Sequence, residues 1–552
     1  LALRVLGRPA EAEGPARRAL ALDSKLVDRL LGRARTASSQ SLRAAAIGYC
    51  DAVLALDPDH VAANSLRAVE LMLLKRMDEA AAAVARTLAL NPDDDLALYV
   101  RGQLALQSCD WDAQGETLAL MRRMCAEGQV SMALSAFTFM CFDTSPAEQL
   151  ACARLSAQQI VKAVGAAPQP PARVVKAGEK IRLAYLSGDF SLHATTWLMA
   201  GLIEHHDRGR FEVIGLSNGP VAQDAMRQRL TGAFDRFVDI REMDDGAVVG
   251  LMRDAGVDIA IDLKGYTQNH RAEVFARRPA PVQVNFLGYP GTMGAEFIDY
   301  IVADAQLIAP AEEAFYAEKV VRMPDTYQVN TPRPETAWRT TRAEQGLPEG
   351  ALVFASFNNS YKITRPVFDI WMRLIKAAPG SVLWLLGDNA AAVARLRGEA
   401  EARGVEAGRL VFAERMEQAQ HLARQELADL FLDTVPVNAH TTASDALWSG
   451  LPVLTCKGRA FIGRVAASVL SAADMPELIV DDLAAYEALA LELANDRPRL
   501  AAMRARLTQG RDRGRLFDTA RFTRHLEAAF ETMQARAQAG LAPEAFCVPA
   551  ET

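Results

Sequence analysis

Along the chain, the spacing of apolar and polar positions changes once, near residue 170. Up to about residue 125 the apolar and alanine positions recur with helical spacing, and the helices themselves recur. Leu20-Ala21-Leu22-Asp23, Leu54-Ala55-Leu56-Asp57-Pro58 and Leu88-Ala89-Leu90-Asn91-Pro92 repeat at an interval of 34 residues. Ala12, Ala46 and Ala80 keep the same interval, and Met77 is answered by Trp111. Small residues let paired helices approach, and each Asp-Pro or Asn-Pro ends one helix before the next begins. A helix pair every 34 residues predicts an α-solenoid. Residues 126 to 165 stay helical with less regular spacing. Ala166-Ala167-Pro168-Gln169-Pro170-Pro171 then marks a stiff boundary.

Beyond it, continuous apolar runs alternate with helical stretches. Ile181–Ser187, Phe211–Leu216, Val257–Leu263, Val282–Leu287, Tyr300–Ala303 and Val320–Met323 read as buried strands, with a helix over Thr195–Glu204. A second set comprises Leu352–Phe357, Val382–Leu386, Leu410–Ala413, Leu427–Leu432 and Pro452–Thr455. Such runs predict parallel sheets covered on both faces, hence two doubly wound, Rossmann-like α/β domains dividing near Pro332-Arg333-Pro334. An amphipathic stretch, Arg515–Ala537, is expected to close the fold across them. The expected division is 1–125 helical repeats, 126–175 connector and linker, 176–333 first α/β domain, and 334–552 second α/β domain with the closing helix.

Length supports this count, since 552 residues exceed one ordinary core. The net charge of −7 argues against a general nucleic-acid or anionic-membrane surface. No apolar run approaches a bilayer span. Seven cysteines without a C-x-x-C pair suggest neither a disulfide framework nor a zinc site, and a cytoplasmic location is expected. The chain begins at Leu1 inside a helical pattern and without Met, so an upstream segment is expected.

In two doubly wound domains, ligands are expected at strand carboxyl ends. Four loops there carry suitable groups. His440, Thr441 and Thr442 precede a helix predicted over Ser444–Trp448, where free amides and the helix dipole favour an anion such as a pyrophosphate. Asp445, one turn on, suits ribose hydroxyls; simple helix capping would also explain one hydroxyl. The loop Phe357–Thr364 offers Asn359 and Lys362, the lysine either neutralising a departing phosphate or lying solvated at the surface. His193 follows the first strand, as a general base, a substrate orienter or a structural residue. Gly288, Tyr289, Pro290, Gly291 and Thr292 form a turn, either merely tight or able to bring amides against a sugar or acceptor. His421 and Arg424, three apart on one helix, would grip a base or form a solvated face. Patterns for dinucleotide dehydrogenases, P-loop enzymes, zincins and the usual hydrolases are missing where they would matter, and no carboxylate pair has metal-ligand spacing. No cofactor or metal is expected.

The 34-residue repeat resembles the tetratricopeptide repeat, implying a protein partner. With S-G-D-F-x-x-H at 187–193, R-R-P-A-P-V-Q-V-x-x-L-G-Y-P-G-T at 277–292, F-N-N-x-x-K at 357–362, N-A-H-T-T-x-x-D at 438–445 and R-V-A-A-S at 464–468, the whole chain resembles the O-linked N-acetylglucosamine transferase family, which includes the Spindly-type fucosyltransferases. The resemblance implies a metal-independent, inverting glycosyltransferase of two-domain GT-B fold. Its substrates would be a nucleotide-sugar donor and the Ser or Thr hydroxyls of an acceptor protein bound through the repeats. It further implies that His440, Thr441 and Thr442 hold the donor pyrophosphate, Asp445 the ribose, and His421 and Arg424 lie near the base. Lys362 would stabilise the leaving diphosphate, Asn359 stands where relatives have glutamine, and His193 acts as base or acceptor orienter. Gln418 and Val437 depart from the family pattern at the donor pocket. They leave open a GDP-fucose donor or a nonulosonate on flagellin, beside N-acetylglucosamine and a non-catalytic repeat scaffold.

Overall fold

The structure, a computed structural model, describes residues 25–40, 42–165, 167–176, 178–220, 223–334, 336–511 and 514–550. The first copy of the repeat, with Ala12 and Leu20 to Asp23, lies outside them. The chain divides into a helical unit ending at Ser135 (with Asn389–Leu396) and a larger unit, Ala136–Asp388 with Arg397–Thr552.

The helical unit repeats down to its capping. Helices Arg43–Leu56 and Met77–Leu90 both end on an extended residue, Asp57 and Asn91, each followed by proline. The next helices, Val61–Leu73 and Asp95–Gln107, are capped by His60 and Asp94, which accept from the backbone N–H of Ala63 and Ala97. Ala46, Ala63, Ala80 and Ala97 are fully buried, the close-approach role expected of small residues. One cluster, including Ile47, Leu71, Val84 and Val100, threads successive helices into a shared core.

The larger unit holds two parallel sheets. The first contains β1 (Ile181–Ser187), β2 (Phe211–Ser217), β3 (Arg236–Asp239), β4 (Ile259–Asp262), β5 (Val282–Asn285), β6 (Tyr300–Asp304) and β7 (Lys319–Met323). The second contains β8 (Val353–Ser356), β9 (Val382–Leu386), β10 (Leu410–Ala413), β11 (Leu430–Leu432), β12 (Val453–Cys456) and β13 (Ile479–Val480), and β14 (Phe546–Cys547) returns to the first. Their orders are β14-β7-β6-β5-β4-β1-β2-β3 and β10-β9-β8-β11-β12-β13. Strand order reverses between β1 and β4 in the first sheet and between β8 and β11 in the second. Such switch points open a crevice beyond the strand carboxyl ends.

Three strands escaped the sequence reading. β3 is a half-exposed edge with no apolar run, and β13 and β14 have two residues each. The closing segment packs back across the domains. The helix Thr519–Gln538 follows the second α/β domain in the chain and packs on the first sheet. Its buried Glu527 accepts from the Asp207 N–H at 2.7 Å, meets His206 Nδ1 at 3.0 Å and pairs with Arg210 at 2.6 Å. The periodicity showed an apolar face and could not show which sheet it would cover.

Buried polar contacts fasten the two α/β domains. Arg333, wholly buried, meets Asp445 at 2.7 Å while donating to the carbonyls of Trp197 and Thr331. Gln328 donates to Ser444 at 2.7 Å, Ser468 to Asp304 at 2.5 Å, and Arg464 pairs with Glu312. Breaking a buried pair strands a charge. Arg333→Met is therefore expected to cost on the order of 3 kcal/mol, read as a lowered unfolding midpoint. Arg333→Met with Asp445→Leu should recover much of that loss, and an equal loss in the double variant would contradict the account.

Candidate active site

Both switch points open into one cleft of about 590 Å³. His193, Lys264, Gly288 and Pro290 line it from the first sheet's loops, and Lys362, Val437, His440 and Thr441 from the second's.

On the second-domain side, the loop after β11 is organised by a buried carboxylate. Asp433 Oδ1 accepts from the N–H groups of Thr434 (2.7 Å) and Ala439 (2.6 Å) and from Asn358 Nδ2 (3.2 Å), and Oδ2 from Thr455 (2.7 Å). Burial pushes its pKa up to about 6 against these donors. The turn delivers the helix Thr441–Trp448, three residues longer than the predicted Ser444–Trp448. The first amides of that helix lack intrahelical acceptors and form an anion-binding end. Thr442 Oγ1 donates to Asn358 Oδ1 at 2.7 Å, tying this end to the loop after β8.

Lys362 comes from that same loop, in a short 3₁₀ turn, Ser360–Lys362. Its side chain is buried, unlike a solvated surface lysine, and Nζ donates to the Asn438 carbonyl at 2.7 Å. Burial lowers its pKa to about 8, with Asp433 opposing. It stands as a partly desolvated cation beside a helix N-terminus. His440 differs from expectation. Its Nε2 lies 3.0 Å from the Ile462 carbonyl, and burial holds its pKa down to about 3. The neutral ring donates from Nε2 and accepts at Nδ1, so it suits a hydroxyl rather than a phosphate oxygen.

The remaining donor-side residues are less exposed to the cleft than the sequence suggested. Asp445 is committed to Arg333 and Gln418, with burial raising its pKa. Thr442 spends its hydroxyl on Asn358, and the exposed Asn359 accepts from Arg415 at 3.2 Å. Arg424 is 1% exposed, sandwiched near Phe357 and Trp384, with Nε donating to His421 Nδ1 at 3.0 Å. This is the inverse of the solvated face. His421, its pKa pushed down to about 3 by burial and Arg424, packs edge-on to Phe357. Arg424 thereby fixes its neutral tautomer with the proton on Nε2.

On the first-domain side, His193 caps the helix Ala194–His205, and its Nδ1 accepts from the Thr195 N–H at 3.2 Å. Asp189, quoted in the S-G-D-F-x-x-H motif without a role, and Lys264, which escaped the sequence reading, form an ion pair of 2.7 Å between the loops after β1 and β4. In the glycine turn, only Gly288 and Pro290 line the cleft. A Cβ at Gly288 would overlap the Leu263 carbonyl oxygen, so glycine is required for these loops to touch. Tyr289 is buried among aromatic rings, Gly291 packs against Met140, and Thr292 donates to buried Glu318 at 2.6 Å. Among the described residues, no three His, Cys, Asp or Glu side chains gather as a metal site would require.

The model of glycosyl transferase family 41 matches residues 153–334 and 329–526. The chain belongs to glycosyl transferase family 41. It is 35% identical over 67% of its length to the Arabidopsis thaliana protein named probable UDP-N-acetylglucosamine–peptide N-acetylglucosaminyltransferase SEC, covering 39% of that protein. It is 28% identical over 66% of its length to the Caenorhabditis elegans UDP-N-acetylglucosamine–peptide N-acetylglucosaminyltransferase, covering 42% of it. The chain thus spans about two fifths of these relatives. A Thermobaculum terrenum O-GlcNAc transferase structure superposes with a TM-score of 0.81 at 29% identity, over 94% of this chain and 99% of that one.

The family match accords with a cation poised for an anion, and the lysine makes that testable. A lowered pKa means Lys362 is charged below about 8 and loses its charge as pH rises through that value. Affinity for a nucleoside diphosphate, by calorimetry from pH 7 to 9.5, should therefore fall above about 8. In Lys362→Met the same profile should be flat; parallel profiles would remove the lysine from the anion site.

Proposed function

We propose that this chain is a protein O-glycosyltransferase that moves N-acetylglucosamine from UDP-N-acetylglucosamine to Ser or Thr hydroxyls of an acceptor protein. The observation that carries the proposal is Lys362, a buried cation beside the N-terminus of helix Thr441–Trp448, facing His193 across the cleft of a family 41 chain. The names of the Arabidopsis, Caenorhabditis and Thermobaculum relatives supply the donor and acceptor classes.

In this reading the acceptor hydroxyl oxygen bonds to the anomeric carbon as the bond to the diphosphate breaks, with inversion, and the hydroxyl proton passes to an oxygen of the departing diphosphate. Charge develops on the leaving diphosphate. Lys362 and the amides of Thr441 and Thr442 meet it there, a preorganised electrostatic role that assigns no metal. Thr442 supports the cradle through Asn358, and His440 takes a sugar hydroxyl at Nδ1. His421 presents Nε2–H to the base, with Arg424 and Asp445 holding that wall in place. Val437, on the cleft lining, faces the sugar. His193 orients the acceptor. We assign acceptor capture to the helical repeats, since such solenoids present extended surfaces to polypeptides. A reducing, cytoplasmic setting fits seven cysteines of which none is joined in a disulfide.

The test is intact-mass analysis of candidate acceptors incubated with the chain and UDP-N-acetylglucosamine. Acceptors should gain N-acetylhexosamine on Ser or Thr. Lys362→Met should lower kcat by about 10²- to 10³-fold while thermal stability is retained. Nucleotide binding without added mass on any acceptor would favour a repeat scaffold instead.

A further inference from the structure

The acceptor side of the cleft contains a charged contact that the proposed reaction does not use. β1 and β4 are paired neighbours, with Leu186 beside Asp262, so the loops leaving their carboxyl ends meet. Asp189 lies two residues beyond β1 and Lys264 two beyond β4. The Asp262 carboxylate fixes the second loop by accepting from the N–H groups of Lys264 (2.8 Å) and Gly265 (3.1 Å). Lys264, 5% exposed, is thereby aimed at Asp189, and its Nζ meets Oδ2 at 2.7 Å.

The same Oδ2 lies 3.6 Å from His193 Nδ1, beyond hydrogen-bond length. Nδ1 instead accepts from the Thr195 N–H. A neutral imidazole carries one proton, so with its Nδ1 lone pair occupied the proton sits on Nε2. A carboxylate free to accept from Nδ1–H would impose the opposite tautomer and turn Nε2 into a proton acceptor, as in Ser-His-Asp triads.

We propose that Lys264 is a positioning residue that clamps Asp189 away from His193. It thereby keeps the imidazole as an Nε2–H donor toward the acceptor rather than a general base. The charged and titratable groups around His193 are consistent with this. Asp189 and Lys264 flank it from the loops after β1 and β4, Asp224 accepts from the neighbouring Leu192 N–H at 3.1 Å, and Lys362 and His440 line the same cleft from the second domain. Burial and Lys264 both lower the His193 pKa, with Asp189 opposing. The inference rests on reading the cleft as a transferase site, but its test does not need turnover.

The test is ¹⁵N NMR of the histidine-labelled full chain, with His193 assigned by His193→Gln. The wild type should show the Nε2–H tautomer. Lys264→Met should switch it toward Nδ1–H and raise the His193 titration by about one pH unit or more, moving the acid limb of any pH–rate profile with it. Lys264→Arg, which keeps the cation, should keep the wild-type spectrum. Should Lys264→Met not fold, Asp189→Asn is a second probe: Lys264, left unpaired, should move the His193 titration downward. An unchanged tautomer and titration in folded Lys264→Met, or in Asp189→Asn, overturns the clamp. A tautomer switch in a chain that transfers no sugar would keep the clamp and overturn the transferase reading.

Discussion

A single buried carboxylate shapes the donor side of the cleft. Asp433 directly follows β11 and gathers two backbone N–H groups of its own loop, the Asn358 amide of the loop after β8 and the Thr455 hydroxyl of β12. Strand β11, the adjacent loops and helix Thr441–Trp448 are thereby held around one acceptor. Lys362 sits within its field, and Asp433 is the charge that opposes desolvation of the lysine. Without this carboxylate the cation would lose the charge that offsets its burial, and Asn358, which holds Thr442, would lose one of its own partners. The first sheet repeats the device more simply, with Asp262 ending β4 and fixing Lys264.

The facing walls are kept in register by buried polar contacts beside the edge-on packing of Tyr327 against Phe461. Arg333 joins the interdomain segment to Asp445 on the anion-binding helix, and Gln328 reaches Ser444 one residue earlier. These contacts are short-ranged and directional, so they fix distances across the cleft that a greasy interface would leave loose. The closing helix adds to the first wall, through Glu527 at His206 and Asp207. Two lysines and two histidines then share one cleft without equivalent roles. Lys264 is neutralised by Asp189, whereas Lys362 donates to the Asn438 carbonyl, so the charge available to an anion lies on the second-domain side.

Period and punctuation carried most of the architecture into the sequence. Continuous apolar runs marked the long strands, and the 34-residue interval marked the repeats. What stayed hidden was partnership. Asp433 lies one residue past the strand read as Leu427–Leu432, and Asp262 lies near the end of the run Val257–Leu263, so a carboxylate at the end of an apolar run is a recurring signal here. Arg333 sat between two prolines and read as a boundary, because nothing local announces that Asp445 lies across from it. Lys264 offered only its place at a strand end. For Arg424 a grip on a base and a solvated face both stayed open, because three-residue spacing defines a face without saying what covers it. Phe357 and Trp384, from β8's loop and β9, cover it here.

The central claim is that the end of helix Thr441–Trp448 and Lys362 together receive the diphosphate. A crystal structure with UDP tests it most directly. The account predicts phosphate oxygens within hydrogen-bond distance of the Thr441 and Thr442 amides, with Lys362 Nζ turned from the Asn438 carbonyl toward them. A diphosphate bound elsewhere, with Lys362 still on Asn438, would contradict it.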